Sequence, residues 1–262
     1  MMRRGRLTRH APGPVGPRPR DGGTRPQAPS GGPGGSSPRA STWGSRGRPA
    51  APGQHSRDIG FAVAACAVLA AYNNVTGLSS GHERWYVRLN AGATGAALAA
   101  GAGACWLLIA AVPATRPVLG DQRATGLRGR DVAYQALIRI PVGTALWEET
   151  AFRGVLQAAL RRVMSDTAAI VVTSGVFGAW HVRPTLQALR ANGLAGDRRR
   201  AIAGTFAGCA ATAAGGALLS WLRARSGRLA DTVLLHAAVN SGGLIAAHAV
   251  AALGQKGKPS AD

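Results

Sequence analysis

The chain has 262 residues, with 31 Lys+Arg against 11 Asp+Glu and a net charge of +20, yet only 16% of its residues are charged and 46% are hydrophobic. Soluble chains average about 25% charged residues, so an ordinary soluble domain is excluded. Cys66, Cys105 and Cys209 each lie alone in an apolar run, which excludes a disulfide framework and a cysteine zinc site.

Residues 1–57 hold ten of the 15 prolines, eleven arginines and one acid, Asp21. Such a stretch buries too little apolar surface to offset the entropy of ordering, and it reads as a disordered basic tail. Its arginines offer no more than nonspecific contact with nucleic acid or anionic lipid. No cleavable secretory leader is expected, because the first apolar run begins only after this polar stretch.

From Asp58 onward, apolar stretches cover residues 59–78, 89–112, about 140–160, 167–182, 201–222 and 229–253. Each is near the ~20 residues that span a ~30 Å hydrocarbon core. The expected fold is therefore an all-α, polytopic transmembrane bundle of about six spans. Its parts are an N-terminal transmembrane pair and loop (58–130), a helical core (131–253) and a short C-terminal tail (254–262). Gly204 and Gly208 have the small-xxx-small spacing that lets helices approach closely, and no internal repeat is evident.

Basic residues cluster in the tail, the 113–130 loop, the 183–200 loop (Arg183, Arg190, Arg198, Arg199, Arg200) and the end (Lys256, Lys258). The alternate connections hold fewer: Arg84 and Arg88, Arg161 and Arg162, and Arg223, Arg225 and Arg228. The positive-inside rule then predicts a multi-pass protein of the cell membrane with both termini cytoplasmic.

Charges inside a span are costly and mark function by default, and the third span contains Glu148, Glu149 and Arg153 within six residues. Glu149 and Arg153 stand at i,i+4 in the favourable order for pairing. Glu148 is left over, a carboxylate suited to general-base or general-acid work. Phe177 and His181 stand at i,i+4 in the fourth span, and His236 and Asn240 at i,i+4 in the sixth. Two imidazoles, an amide and a glutamate can thus converge inside one bundle. His248 has no partner at helical spacing and reads as structural, Asp231 lies near a span end, and Arg139 before Pro141 reads as an interface residue. Counting ~1.5 Å per residue from mid-span places His236 about 15 Å in depth from His181, an offset that a tilt or a broken helix has to absorb.

The ordered set Glu148-Glu149-Thr-Ala-Phe-Arg153, Phe177-Gly-Ala-Trp-His181 and His236-Ala-Ala-Val-Asn240 resembles the three motifs of the CPBP family of intramembrane proteases, the Abi or type II CAAX prenyl endopeptidases, over about residues 131–245. The resemblance implies peptide-bond hydrolysis within the membrane, with Glu148, Glu149, His181, His236 and Asn240 as catalytic candidates. Glu148 and His181 would activate a water, while His236 and Asn240 would stabilise the oxyanion or bind a metal. Zinc held by Glu148, His181 and His236 is one reading; a metal-independent base is the other, favoured by the absence of His-Glu-x-x-His and by the suitability of Asn as an oxyanion donor. The expected partners are membrane lipids and a membrane-associated or prenylated peptide or protein substrate. Two other readings are a non-catalytic immunity or scaffold protein with the same bundle and a transporter using its buried Glu and His.

Overall fold

The computed structural model describes residues 54–77 and 92–256. The tail expected over 1–57 lies outside the described residues except for its last four, which open the first helix. Arg84, Arg88 and Lys258 also lie outside them.

The described residues are helical, with no strand among them. Helix α1 covers Gln54–Thr76 and α2 covers Ala93–Ala111. A 3₁₀ segment, Pro113–Leu119, and a single turn, Gln122–Thr125, lead into α3, a continuous helical run over residues 129–160. Then follow α4 (Asp166–Trp180), α5 (Val182–Ala191), α6 (Arg198–Ser226) and α7 (Leu229–Lys256). Three of these, Ala93–Ala111, Arg198–Ser226 and Leu229–Gly254, are long and apolar enough to cross a membrane.

Helix α3 starts well before the expected residue 140 and alternates α turns with wider π turns, Gln135–Arg139, Pro141–Leu146 and Thr150–Leu156. Pro141 supplies no N–H and crowds the preceding turn. The wider turns on either side of it let the helix pass through the proline instead of starting there.

Local chemistry sets the other boundaries. The Ser165 side chain caps α4 by accepting from the Ala168 N–H, and Asp197 caps α6 by accepting from the Arg200 N–H at 2.8 Å. Helix α6 stops at Gly227, whose φ of 64° is the left-handed conformation that glycine adopts without strain.

The distribution of polarity is inverted relative to a soluble protein. Glu149, Arg153, Gln157, Thr173, Ser220, Asp231 and Thr232 are all buried, whereas Val68, Leu107, Phe206 and Val171 are exposed. Few residues of the three long helices are buried within the protein, so their apolar surface faces outward, where only lipid removes it from water.

Small residues make the interior contacts. Helix α2 packs along α7, and α4 and α5 both pack along α6. A Cβ on Gly178 would fall 2.7 Å from the Cys209 carbonyl oxygen, so α4 and α6 touch backbone to backbone there. Gly204 lies against Leu189 and Gly208 against Thr185; the small-xxx-small pair seats the short helix α5. Asp231, fully buried, accepts from the Gly92 N–H at the start of α2, and His248 Nδ1 lies 3.3 Å from the Ala124 carbonyl. Both are packing contacts remote from the motif cluster.

Gly178→Leu is expected to cost about 1–3 kcal/mol by overpacking, read as a lower unfolding midpoint of the purified protein in detergent. Gly175→Leu is the control, since a Cβ there meets nothing within 4 Å.

Candidate active site

Six of the motif residues, Glu148, Glu149, Arg153, Phe177, His181 and His236, meet where α3, α4 and α7 cross. Glu149 and Arg153, one turn apart on α3, form an ion pair at 2.9 Å with both side chains wholly buried. Arg153 also donates to the Gly216 carbonyl on α6 at 3.0 Å, and its guanidinium lies 4.2 Å from the centre of the Phe177 ring. One turn further along α3, Gln157 donates to the Ser220 carbonyl at 3.1 Å. Position 216 admits only glycine in this arrangement, because a Cβ would fall 2.9 Å from the Phe177 ring and 3.1 Å from Arg153 Nη2.

The same carboxylate oxygen that pairs with Arg153 receives His236. His236 Nδ1 lies 2.8 Å from Glu149 Oε1. A carboxylate paired with arginine only accepts, so Nδ1 carries the proton and Nε2 turns toward Glu148, 3.8 Å from its Oε2.

His181 reaches that oxygen from the other side. Helix α4 ends at this residue, where the His181 N–H bonds back to Gly178 and not to Phe177. The Phe177 carbonyl is one of the acceptors that a helix end leaves without a backbone partner, and His181 Nδ1 fills it at 2.8 Å. A carbonyl likewise only accepts, so Nδ1 is again the protonated nitrogen and Nε2 faces Glu148 Oε2 at 4.0 Å. Glu148 Oε2 is buried and makes no hydrogen bond among the described residues.

The expected 15 Å offset in depth between the two histidines is therefore absent, since both stand within 4.0 Å of one oxygen. The error lay in centring each span on the bilayer. Helix α4 has 15 residues and rises only about 22 Å, short of the hydrocarbon core, so its middle does not mark the midplane.

Aromatic rings wall the cluster. Phe177, buried between Phe152, His181 and His236, stands 4.6 Å from the His181 ring and 6.0 Å from the His236 ring, centre to centre. Trp180 packs edge-on against Trp147 and Phe152. Asn240, one turn beyond His236 on α7, is exposed and makes no side-chain hydrogen bond to the cluster.

The donor types around Glu148, two imidazole nitrogens and a carboxylate oxygen, are those zinc takes. Their spacing is wider than zinc requires: ligands at ~2.0 Å define tetrahedral edges of about 3.3 Å, against separations of 3.8 and 4.0 Å. No group of three or more His, Cys, Asp or Glu among the described residues is placed to hold a metal ion.

Sequence reasoning missed Gln157, Gly216 and Trp180. Gln157 continues the Glu149, Arg153 series at the same four-residue spacing, which was the available signal. Gly216 and Trp180 act through contacts between helices that spacing along one helix does not show.

Residues 132–242 match the family model described as type II CAAX prenyl endopeptidase Rce1-like. That segment is an Rce1-like domain, consistent with the CPBP family. No curated protein and no solved structure matches the chain significantly. All seven motif residues fall inside the matched segment, and the Rce1-like family implies a protease. Together with the three long apolar helices, it makes the chain an integral membrane protein.

Glu149→Gln is expected to destabilise the protein by about 3–5 kcal/mol, because Arg153 is left buried without its counter-charge. Glu148→Gln removes no ion pair with arginine and is expected to leave the folded yield unchanged. Gel filtration and thermal unfolding in detergent read both; equal losses would contradict this division of labour.

Proposed function

We propose that the protein is an intramembrane endopeptidase in which Glu148 acts as general base on a water. The observation that carries this reading is the buried Glu148 Oε2, without a hydrogen-bond partner and faced by the Nε2 atoms of His181 and His236 at 4.0 and 3.8 Å. Polar atoms at such separations are ones that a single water bridges.

In the reaction, the water gives a proton to the Glu148 carboxylate while its oxygen bonds to the carbonyl carbon of the scissile peptide. His181 accepts the water's second hydrogen bond at Nε2 and orients it. The tetrahedral oxyanion is met by His236. With Nδ1 already donating to Glu149, His236 donates at Nε2 as an imidazolium. Protonated Glu148 then passes its proton to the departing amine, the C–N bond breaks, and a carboxylic acid and an amine leave. Glu149 and Arg153 hold His236 in register and touch no reacting atom. The aromatic wall of Trp147, Phe152, Phe177 and Trp180 limits the access of other water.

The proposed substrate is a membrane-associated or prenylated peptide or protein, in keeping with the family's description as a CAAX prenyl endopeptidase. The proposed placement is the cell membrane with both termini cytoplasmic. Six crossings follow if α1, α3 and α4 join the three long helices. A zinc-dependent variant of the same site is a second reading, favoured by the donor types alone and requiring the three groups to draw together.

The test is cleavage of fluorogenic farnesylated and unmodified peptides by the purified full chain in detergent. Glu148→Ala and His181→Ala are each expected to lower kcat by about 10²–10⁴-fold while the protein stays folded. Stripping with a chelator is expected to leave activity intact. Loss of activity on stripping, with recovery on zinc return, would replace the general-base step by zinc chemistry, and inert but well-folded wild type would overturn the protease reading.

A further inference from the structure

The short helix α5 is unlike the other helices. At ten residues it rises only about 15 Å, too little to cross a membrane, and it is amphipathic: Thr185 and Leu189 lie against the glycines of α6 while Arg183 and Arg190 are exposed. Five arginines and one aspartate fall between residues 183 and 200. Asp197 is engaged with Arg200 at 3.3 Å. Arg190 and Arg198 make no ion pair among the described residues.

Between α5 and the first turns of α6 runs an open groove of about 780 Å³. Its apolar lining includes Val182, Leu186, Ile202 and Phe206, and its charged lining is Arg190, Asp197 and Arg198, with Asp197 paired to Arg200. Phe206 and Ile202 are 76% and 59% exposed on a helix long and apolar enough to cross the membrane, so the groove opens onto the surface that lipid covers. Its volume lies within the ~300–1,000 Å³ usual for small-molecule sites.

We infer that this groove is a binding site for one anionic phospholipid, its acyl chain along Val182, Leu186, Ile202 and Phe206 and its headgroup phosphate on Arg190 and Arg198. Charge complementarity selects the occupant. Two cations outside any ion pair, beside an acid already engaged by Arg200, at the end of an apolar channel match a molecule with one negative head and one apolar tail. The basic N-terminal stretch of this chain carries the wrong sign to compete. The groove begins at Val182, the residue after His181, so an occupied groove braces the end of α4 on which His181 is held.

The experiment is native mass spectrometry of the full chain in detergent, titrated with phosphatidylglycerol, phosphatidylcholine or glycerol 3-phosphate. One phosphatidylglycerol is expected to bind at least tenfold more tightly than phosphatidylcholine. Arg190→Gln with Arg198→Gln is expected to remove that preference, a loss on the order of tenfold. Arg199→Gln with Arg200→Gln, beside the groove at its edge, is expected to cost much less. Ala201→Trp, which fills the groove and leaves every arginine in place, is expected to weaken phosphatidylglycerol binding; gel filtration checks that each variant is folded. Equal binding of the two lipids, or equal effects of the two arginine pairs, would overturn the site. Competition by glycerol 3-phosphate at the concentration of the lipid would show a headgroup contact without a chain in the groove and overturn it as well. Displacement of the lipid by an equimolar farnesylated peptide would assign the groove to substrate instead.

Discussion

The arrangement depends on a single buried ion pair. Glu149 and Arg153 lie one turn apart on α3, wholly enclosed, and neither charge is tolerable there without the other. Each then fixes a different neighbour: Arg153 reaches the Gly216 carbonyl of α6 and the face of Phe177 from α4, and Glu149 takes the Nδ1 proton of His236 from α7. Three helices are registered against α3 by one pair of side chains. Because lipid outside the bundle offers helices no hydrophobic reason to associate, polar contacts of this kind and the close approach of small residues must supply it.

The small residues and the polar cluster are therefore one design. Gly178 lets the backbone of α4 reach that of α6, and Gly216 lets Arg153 and Phe177 share the space beside its carbonyl. A larger residue at either place would separate the helices by the width of a side chain. That displacement would carry Phe177 away from Arg153 and His181 away from Glu148 together, since both leave α4 within one turn of each other.

The membrane character and the motif residues were legible in the sequence because each rests on a local pattern: long apolar runs in one case, four-residue spacing of polar groups within such runs in the other. What was not legible depends on where one helix stands against another. The relative depth of His181 and His236 was misjudged because α4 is short and does not centre on the bilayer. The start of α3 was placed too late because Pro141 reads as a boundary, while wider turns carry the helix through it. Helix α5 was taken as loop, since a ten-residue amphipathic piece with a proline in its first turn and an arginine cluster after it lacks the length by which spans are recognised. Asn240 shares a helix face with His236 but remains exposed, so spacing alone overstated how closely it joins the cluster.

The way each histidine is held narrows the chemistry available. Both imidazoles are anchored at Nδ1 to a group that can only accept, a carboxylate for His236 and the unpaired carbonyl of a helix end for His181. Both therefore present Nε2 to Glu148, and in the neutral form neither carries a proton there. A neutral pair can accept hydrogen bonds from a water or bind a metal, but it cannot donate to an oxyanion. For His236 to donate, it must gain a second proton, and it alone of the two has a carboxylate on each side, Glu149 at 2.8 Å and Glu148 at 3.8 Å. His181, anchored to an uncharged carbonyl, has Glu148 only. In the proposed reaction this asymmetry is what separates the two histidines, His181 as the acceptor that orients water and His236 as the group that meets developing negative charge.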